Sequence, residues 1–140
     1  KMLQYKTAMD LHTNTFGQMV IDQYLQDNDL DAHVKKTIEI YRQKAEYMMA
    51  CMEKYFPAGV TYTKPDGGMF IWATMPEGIS GVSVQDLAIT KGVAVCAGDP
   101  FYESLRNART MRINYSNSSD EVIDKGIKIL SEAIAELMKK

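Results

Sequence analysis

The chain has 140 residues, 46% of them hydrophobic and 24% charged, which is typical of one globular domain and excludes disordered and collagen-like classes. Its formal net charge of -2 gives no electrostatic reason to expect nucleic acid or an anionic membrane as a partner. No uncharged run approaches the roughly 20 residues that a membrane-spanning helix needs.

The first half of the sequence is predicted to be helical. A short helical segment ends near Asp10, and a second begins around residues 13–15. The polar stretch 26–29 interrupts the pattern, and one long amphipathic helix follows it and ends before Pro57. The apolar residues of this long helix recur at steps of three and four: Val34, Ile38, Tyr41, Ala45, Met48, Met52 and Tyr55.

After Gly59 the periodicity changes to that of strands. Residues 60–63 and 69–75 are predicted to pair as a hairpin across the turn at 64–68. Ser83, followed by Asp86 three residues later, is predicted to open a short helix. A third strand is predicted at residues 93–96.

The last strand is predicted at residues 109–115, and a final helix follows it. Ser118 with Glu121 predicts a capping box at the start of this helix. Its predicted buried stripe consists of Ile123, Ile127, Leu130, Ile134 and Leu137. The predicted fold class is therefore α+β, with a small mixed or antiparallel sheet packed on helices and a long helix leading in.

Arg112 is the most informative residue of the last strand. Met111, Ile113 and Tyr115 alternate on one face of this strand, which turns the Arg112 guanidinium to the other face. A guanidinium fixed on a strand is suited to bind a carboxylate through two hydrogen bonds. Asn114 lies on the same face as Arg112, where it could support the guanidinium, line a cleft or simply meet solvent.

The sequence offers no metal-binding pattern. Cys51 and Cys96 are far apart and have no CxxC or Cys/His spacing, so we expect two buried, reduced thiols. His12 and His33 have no ligand or triad partner at a helical spacing, and we expect structural or surface roles for both.

Three strings of residues follow one another along the chain: Gly67-Gly68-Met69-Phe70-Ile71-Trp72, then Gly92-Val93-Ala94-Val95 with Gly98-Asp99-Pro100-Phe101-Tyr102, then Arg112-Ile113-Asn114-Tyr115. In this order and spacing they resemble successive signatures of the class I/II aminotransferases, which are pyridoxal-phosphate enzymes of fold type I. The opening residues 10–15 are similar to the aminoadipate and aromatic aminotransferase branch. The resemblance covers essentially the whole chain and corresponds to the C-terminal small domain of the family.

The resemblance implies roles for several residues. It places the substrate α-carboxylate on Arg112, and it gives Asn114 a place beside that site. Gly67 and Gly68 resemble the point where the family backbone runs close to the substrate cleft, although the hairpin turn explains them as well. Thr13 and Asn14 correspond to a stretch that, in family dimers, lies near the subunit interface and can reach the partner's site. A helix-capping role explains this pair equally well.

The catalytic machinery of the family is expected upstream of this sequence. The resemblance places the Schiff-base lysine, the acid that protonates the pyridine nitrogen and the phosphate-binding cup in the large domain. None of the lysines here lies in the Ser-x-x-Lys setting typical of that lysine, and no Gly/Ser-rich phosphate loop is present. We therefore assign no catalytic residue, and we expect the isolated chain neither to bind pyridoxal phosphate tightly nor to turn over.

The sequence is thus interpreted as a fragment of a cytoplasmic, homodimeric aminotransferase acting on amino acids and 2-oxo acids. It begins with Lys1 and carries no secretory signal, so we expect it to start inside a longer protein. Residues 1–28 are assigned to a lead-in at the end of the large domain or at the interface, and residues 29–140 to the small domain. Two alternatives remain: an aminotransferase-like sensor module of a transcription regulator, and a free-standing interaction domain.

Overall fold

The computed structural model describes residues 1–104 and 106–139. The chain divides into two compact units, Lys1–Thr37 and Ile38–Lys140. Within the described residues, no helix is long and apolar enough to cross a membrane.

The first unit is helical, as predicted. Helix α1 spans Met2–Asp10 and helix α2 spans Thr15–Asp27. Neither helix buries a residue, so their apolar side chains are exposed. The long helix α3, Leu30–Tyr55, begins in this unit and continues into the second, where its last turns carry its buried residues.

The second unit contains a four-stranded antiparallel sheet and two further helices. The strands are β1 (Thr61–Tyr62), β2 (Phe70–Thr74), β3 (Cys96–Ala97) and β4 (Thr110–Asn114), in the order β1-β2-β4-β3. Helix α4 spans Gly81–Thr90 and helix α5 spans Asp120–Leu137. The predicted α+β class is confirmed, and of the two kinds of sheet expected, the structure has the antiparallel one.

The core of the second unit lies between one face of the sheet and the helices. Strand β4 alternates as predicted, because Met111, Ile113 and Tyr115 are buried while Arg112 is half-buried. The predicted stripe of α5 is confirmed at Ile123, Ile127, Leu130 and Ile134, and Leu137 is only partly buried. The alternation therefore leaves the other face of the sheet free to carry a site.

Both predicted helix starts of the second unit are displaced. Helix α4 is capped by Ser80 rather than Ser83, since the Ser80 hydroxyl accepts a hydrogen bond from the Ser83 backbone N–H at 3.1 Å. Helix α5 is capped by Ser119 rather than Ser118, through a 3.4 Å bond from the Val122 N–H. In each case another serine nearby takes the capping position.

The third strand lies later than predicted, at Cys96–Ala97 instead of 93–96. The Val93 N–H bonds to the Ala88 carbonyl at the end of α4, so it is not available to a strand neighbour. The expectation of two buried thiols is correct for Cys51 but wrong for Cys96, which is only half-buried.

Candidate functional site

Arg112 lies in the middle of β4, with a strand on each side. The antiparallel register places Trp72 of β2 directly opposite it on one side and Cys96 of β3 on the other. Directly paired residues point to the same face of a sheet. The three side chains therefore share the face that does not carry the core.

Aromatic rings contact the Arg112 guanidinium. Its central carbon lies 4.2 Å from the ring centroid of Phe70 and 4.8 Å from that of Phe101. Phe101 also meets Trp72 edge to face, with 5.3 Å between the ring centroids. Cation–π contacts of this kind hold a guanidinium in place and leave its N–H groups available to donate hydrogen bonds to a carboxylate.

The hydrogen-bonding capacity of Arg112 is unused in the described part of the chain. Within residues 1–104 and 106–139, the guanidinium makes neither an ion pair nor a hydrogen bond. A half-buried, ring-held guanidinium with free donors can bind a carboxylate through two parallel charge-assisted hydrogen bonds. The chemistry available at this face is therefore recognition of an anion.

Asn114 lies on the same face of β4 but is exposed and bonded elsewhere. Its side-chain oxygen accepts hydrogen bonds from the Ser116 backbone N–H at 2.9 Å and from the Ser116 hydroxyl at 3.0 Å. These bonds begin the turn that leads towards α5. Support of Arg112 by Asn114 stays a prediction.

The two glycines at 67 and 68 lie in the loop before β2. Gly68 has a φ of +86°, a conformation that favours glycine, and its carbonyl accepts a 2.8 Å hydrogen bond from the Tyr115 hydroxyl. An added Cβ would meet nothing within 4 Å at either glycine. The turn thus accounts for Gly68, and contact of either glycine with a substrate stays a prediction.

Thr13 and Asn14 belong to the first unit and are both exposed. The Asn14 side chain caps α2 by accepting a 2.7 Å bond from the Gly17 N–H. The Thr13 hydroxyl accepts a 3.0 Å bond from the Lys6 ammonium. The capping role expected at this position is therefore confirmed for Asn14, and a role at a partner's site stays a prediction.

A separate cavity of about 390 Å³ lies in the second unit. Its lining includes residues 92–95, Ile113, Asn114 and the first half of α5, and Arg112 is not among the lining residues. Since no lysine, arginine or histidine belongs to the described lining, the cavity offers no cationic group for an anion.

Burial raises the pKa of the Tyr115 phenol above its ordinary value, and the nearby Tyr41 adds to this. The ring of Tyr115 is buried in the core while its hydroxyl reaches the Gly68 carbonyl. Tyr115 therefore links the core to the loop that precedes β2, and it does so only while it is protonated.

Sequence reasoning missed the aromatic side chains around Arg112. Phe70 and Trp72 could have been found, because they alternate with Ile71 and Ala73 in the predicted hairpin and so point away from the core. Phe101 left no such signal. Its approach to Arg112 depends on how the segment between β3 and β4 folds.

Comparison with known proteins identifies the relatives of this chain. Residues 3–130 match the family described as "Aminotransferase class I and II". The aromatic-amino-acid aminotransferase 1 of Thermococcus litoralis is 43% identical over 135 residues, which cover 96% of this chain and 32% of that protein. The HTH-type transcriptional regulator YjiR of Escherichia coli is 24% identical over 139 residues, covering 99% of this chain and 30% of the regulator.

A solved aminotransferase structure has a part with the same fold as this chain. The crystal structure of LysN, an α-aminoadipate aminotransferase from Thermus thermophilus complexed with N-(5'-phosphopyridoxyl)-L-leucine, matches with a TM-score of 0.90 and 31% identity. The match covers 97% of this chain and 35% of LysN. The chain thus spans about a third of the length of the relatives it matches.

Proposed function

Because the chain belongs to the class I and II aminotransferases, we propose that it is the C-terminal small domain, with its lead-in helices, of a pyridoxal-phosphate-dependent aminotransferase. In this proposal Arg112 binds the α-carboxylate of amino acid and 2-oxo acid substrates. The observation that carries the proposal is a guanidinium held by two rings, with its N–H donors free of any partner among the described residues.

Arg112 would orient the substrate. Two parallel hydrogen bonds fix both the position and the plane of a carboxylate, which a lysine ammonium cannot do. Fixing one end of an amino acid sets the direction of its α-carbon, and correct orientation supplies a large part of the rate of a reaction between two bound groups. The aromatic rings around Arg112 keep the guanidinium in place for this task.

The described surroundings of Arg112 do not fit the cofactor itself. Phe70, Trp72 and Phe101 can neither bond covalently to an aldehyde nor hold a phosphate. Pyridoxal phosphate supplies an electron sink for the substrate when it is bound. In the proposed protein it is held by the remaining two thirds of the length that the relatives have, so the isolated chain is inactive.

The proposed enzyme is a homodimer, with residues 1–28 at the end of the large domain or at the interface. The exposed apolar side chains of α1 and α2 support this, because Leu3, Phe16 and Ile21 are each more than half exposed. In this arrangement Thr13 and Asn14 face a partner subunit's site, and Gly67 and Gly68 line the substrate cleft. The expected cytoplasmic location stays a prediction.

The test uses a full-length polypeptide that contains this sequence, reconstituted with pyridoxal phosphate. Transfer of the amino group from single amino acids to 2-oxoglutarate is measured for the wild type and for Arg112→Ala. Loss of two charge-assisted hydrogen bonds should lower kcat/KM roughly 100-fold or more for donor and acceptor alike. Arg112→Lys should recover only a small part, because it restores the charge without the planar fork.

Arg109→Ala is the matched control, since Arg109 is exposed and lies just outside β4. Its kcat/KM should stay close to that of the wild type. Equal losses in Arg109→Ala and Arg112→Ala would mean that general positive charge, and not the Arg112 site, attracts the substrate.

A second candidate is a sensor module of a transcription regulator, which the likeness to the regulator YjiR favours. Both candidates use the same carboxylate site, so they differ in the rest of the polypeptide. The same reconstituted protein separates them. Amino-group transfer over many turnovers supports the enzyme, whereas binding of an amino acid without turnover, together with specific DNA binding, supports the regulator.

A further inference from the structure

The carboxylate of Asp99 bridges the two ends of the segment between β3 and β4. Asp99 begins a short 3₁₀ turn, Asp99–Phe101, and its side chain reaches across to the far end of the segment. One oxygen accepts a 2.7 Å hydrogen bond from the Asn107 backbone N–H, and the other accepts a 3.0 Å bond from the Ala108 N–H. Both oxygens of Asp99 are therefore used to hold the two ends of the segment together.

The turn that Asp99 begins carries the ring that reaches Arg112. Phe101 is about half exposed (48%), so core packing does not hold it. Its ring contacts the Arg112 guanidinium at 4.8 Å and meets Trp72 edge to face at 5.3 Å between ring centroids. The next residue, Tyr102, also meets Trp72, at 6.4 Å between ring centroids, and its hydroxyl accepts a 3.3 Å hydrogen bond from Thr110.

We propose that Asp99 is a positioning residue for the carboxylate site, an inference that rests on the proposed function of Arg112. By closing the segment, the Asp99 carboxylate holds Phe101 against the guanidinium and restricts the rotamers of the arginine before a substrate arrives. A long, free arginine side chain loses conformational entropy when it binds an anion, and a side chain that is already held loses less. Asp99 thus acts on binding through Phe101 and touches no substrate.

The first part of the test observes the closure directly, without any substrate. Trp72 is the single tryptophan of the 140-residue chain, so its fluorescence reports on the contacts with Phe101 and Tyr102. Asp99→Ala should increase acrylamide quenching and shift the emission to longer wavelength. Glu103→Ala is the matched control, because Glu103 is an exposed acid of the same segment, and it should change neither quantity. Equal quenching in Asp99→Ala and the wild type would overturn the proposal.

The second part measures KM and kcat for 2-oxoglutarate, which serves as the carboxylate probe, in the full-length protein with its cofactor. Asp99→Ala should raise KM roughly 3- to 10-fold, the cost of immobilising one flexible side chain. Its kcat should stay nearly unchanged, because the lost binding is common to ground state and transition state. A fall in kcat with KM unchanged would contradict the positioning role.

A double-variant comparison shows whether Asp99 acts through Phe101. Phe101→Leu removes the ring and keeps the Asp99 hydrogen bonds, so it should raise KM to a similar extent. Adding Asp99→Ala to Phe101→Leu should raise KM no further. If the increases in KM of the two single variants add in the double variant, the proposal is overturned. If Asp99→Ala does not fold, Phe101→Leu alone still tests the role of the ring. If Arg112→Ala leaves kcat/KM unchanged, the proposed function itself fails. The fluorescence of Trp72 still shows, independently, whether the Asp99 carboxylate holds the segment closed.

Discussion

At the scale of single residues, Gly98 shows how closely the backbone approaches β4. A Cβ added at Gly98 would lie 2.0 Å from the Thr110 hydroxyl oxygen, and one added at Gly81 would lie 2.0 Å from the Thr110 backbone oxygen. No side chain fits at such distances. Thr110 is thus enclosed by two glycines that bring β3 and α4 against the same residue.

Gly98→Ala is expected to destabilise the chain by ~1–3 kcal/mol, the usual cost of overpacking. Thr110→Ala should relieve part of this cost when the two changes are combined, because it removes the clashing hydroxyl, whereas Thr110→Ser should not. Gly81→Ala should gain no relief from either change, since its clash is with backbone. Urea unfolding measures all these variants, and full additivity of Gly98→Ala with Thr110→Ala would contradict the prediction.

The Tyr115 phenol should make the free energy of unfolding depend on pH in the alkaline range. Its pKa is raised in the folded state, so its contribution to stability is complete below the ordinary pKa of about 10 and is lost as the pH rises further. Tyr115→Phe also leaves the Gly68 carbonyl without its hydroxyl donor, a loss of ~1 kcal/mol near neutral pH. Free energies of unfolding are measured from pH 7 to pH 11 for the wild type and Tyr115→Phe, and the difference between them should become smaller above about pH 10. A difference that grows above that pH would contradict the prediction.

At the scale of secondary-structure elements, the sequence prediction and the structure name different capping residues for α5. The capping box predicted Ser118, and the structure places Ser119 at the cap. Ser119→Ala should therefore cost ~1 kcal/mol in urea unfolding, while Ser118→Ala should change stability by much less. Ser118 contributes its backbone carbonyl, which accepts a hydrogen bond from Lys44 and survives the substitution. The reverse order of effects would favour the original capping box.

The elements that the sequence predicts well are those set by local periodicity. The stripe of α5 and the alternation around Arg112 follow from side-chain direction alone, so both were predictable. Ser118, with Glu121 three residues later, fits the local capping-box pattern, whereas the hydroxyl that caps α5 is that of Ser119. The hydrogen-bonding geometry therefore decides the cap, and the local pattern does not show it. The position of β3 depends on its pairing with β4, and the approach of Phe101 to Arg112 depends on the distant bonds of Asp99. Neither leaves a local signal.

At the scale of the whole molecule, burial is unequal between the two units. Among the described residues, the buried apolar side chains run from Ala45 to Ile134 and all belong to the second unit. The first unit instead exposes many large apolar side chains. These include Met2, Leu3, Met9, Phe16, Met19 and Ile21. A surface of this kind is normally covered by another protein surface.

A chain of residues 38–140 is therefore expected to keep a cooperative unfolding transition, with a free energy of unfolding within ~1 kcal/mol of that of the 140-residue chain, because it keeps the buried core. Light scattering should show that the 140-residue chain self-associates and that the shorter chain is monomeric. Phe16→Lys with Met19→Lys in the 140-residue chain is the control, since both residues are about two thirds exposed or more, and it should weaken association without lowering the unfolding temperature. A monomeric 140-residue chain would instead favour a free-standing interaction domain, because a part separated from a larger enzyme leaves exposed the surfaces that the rest of that enzyme covers.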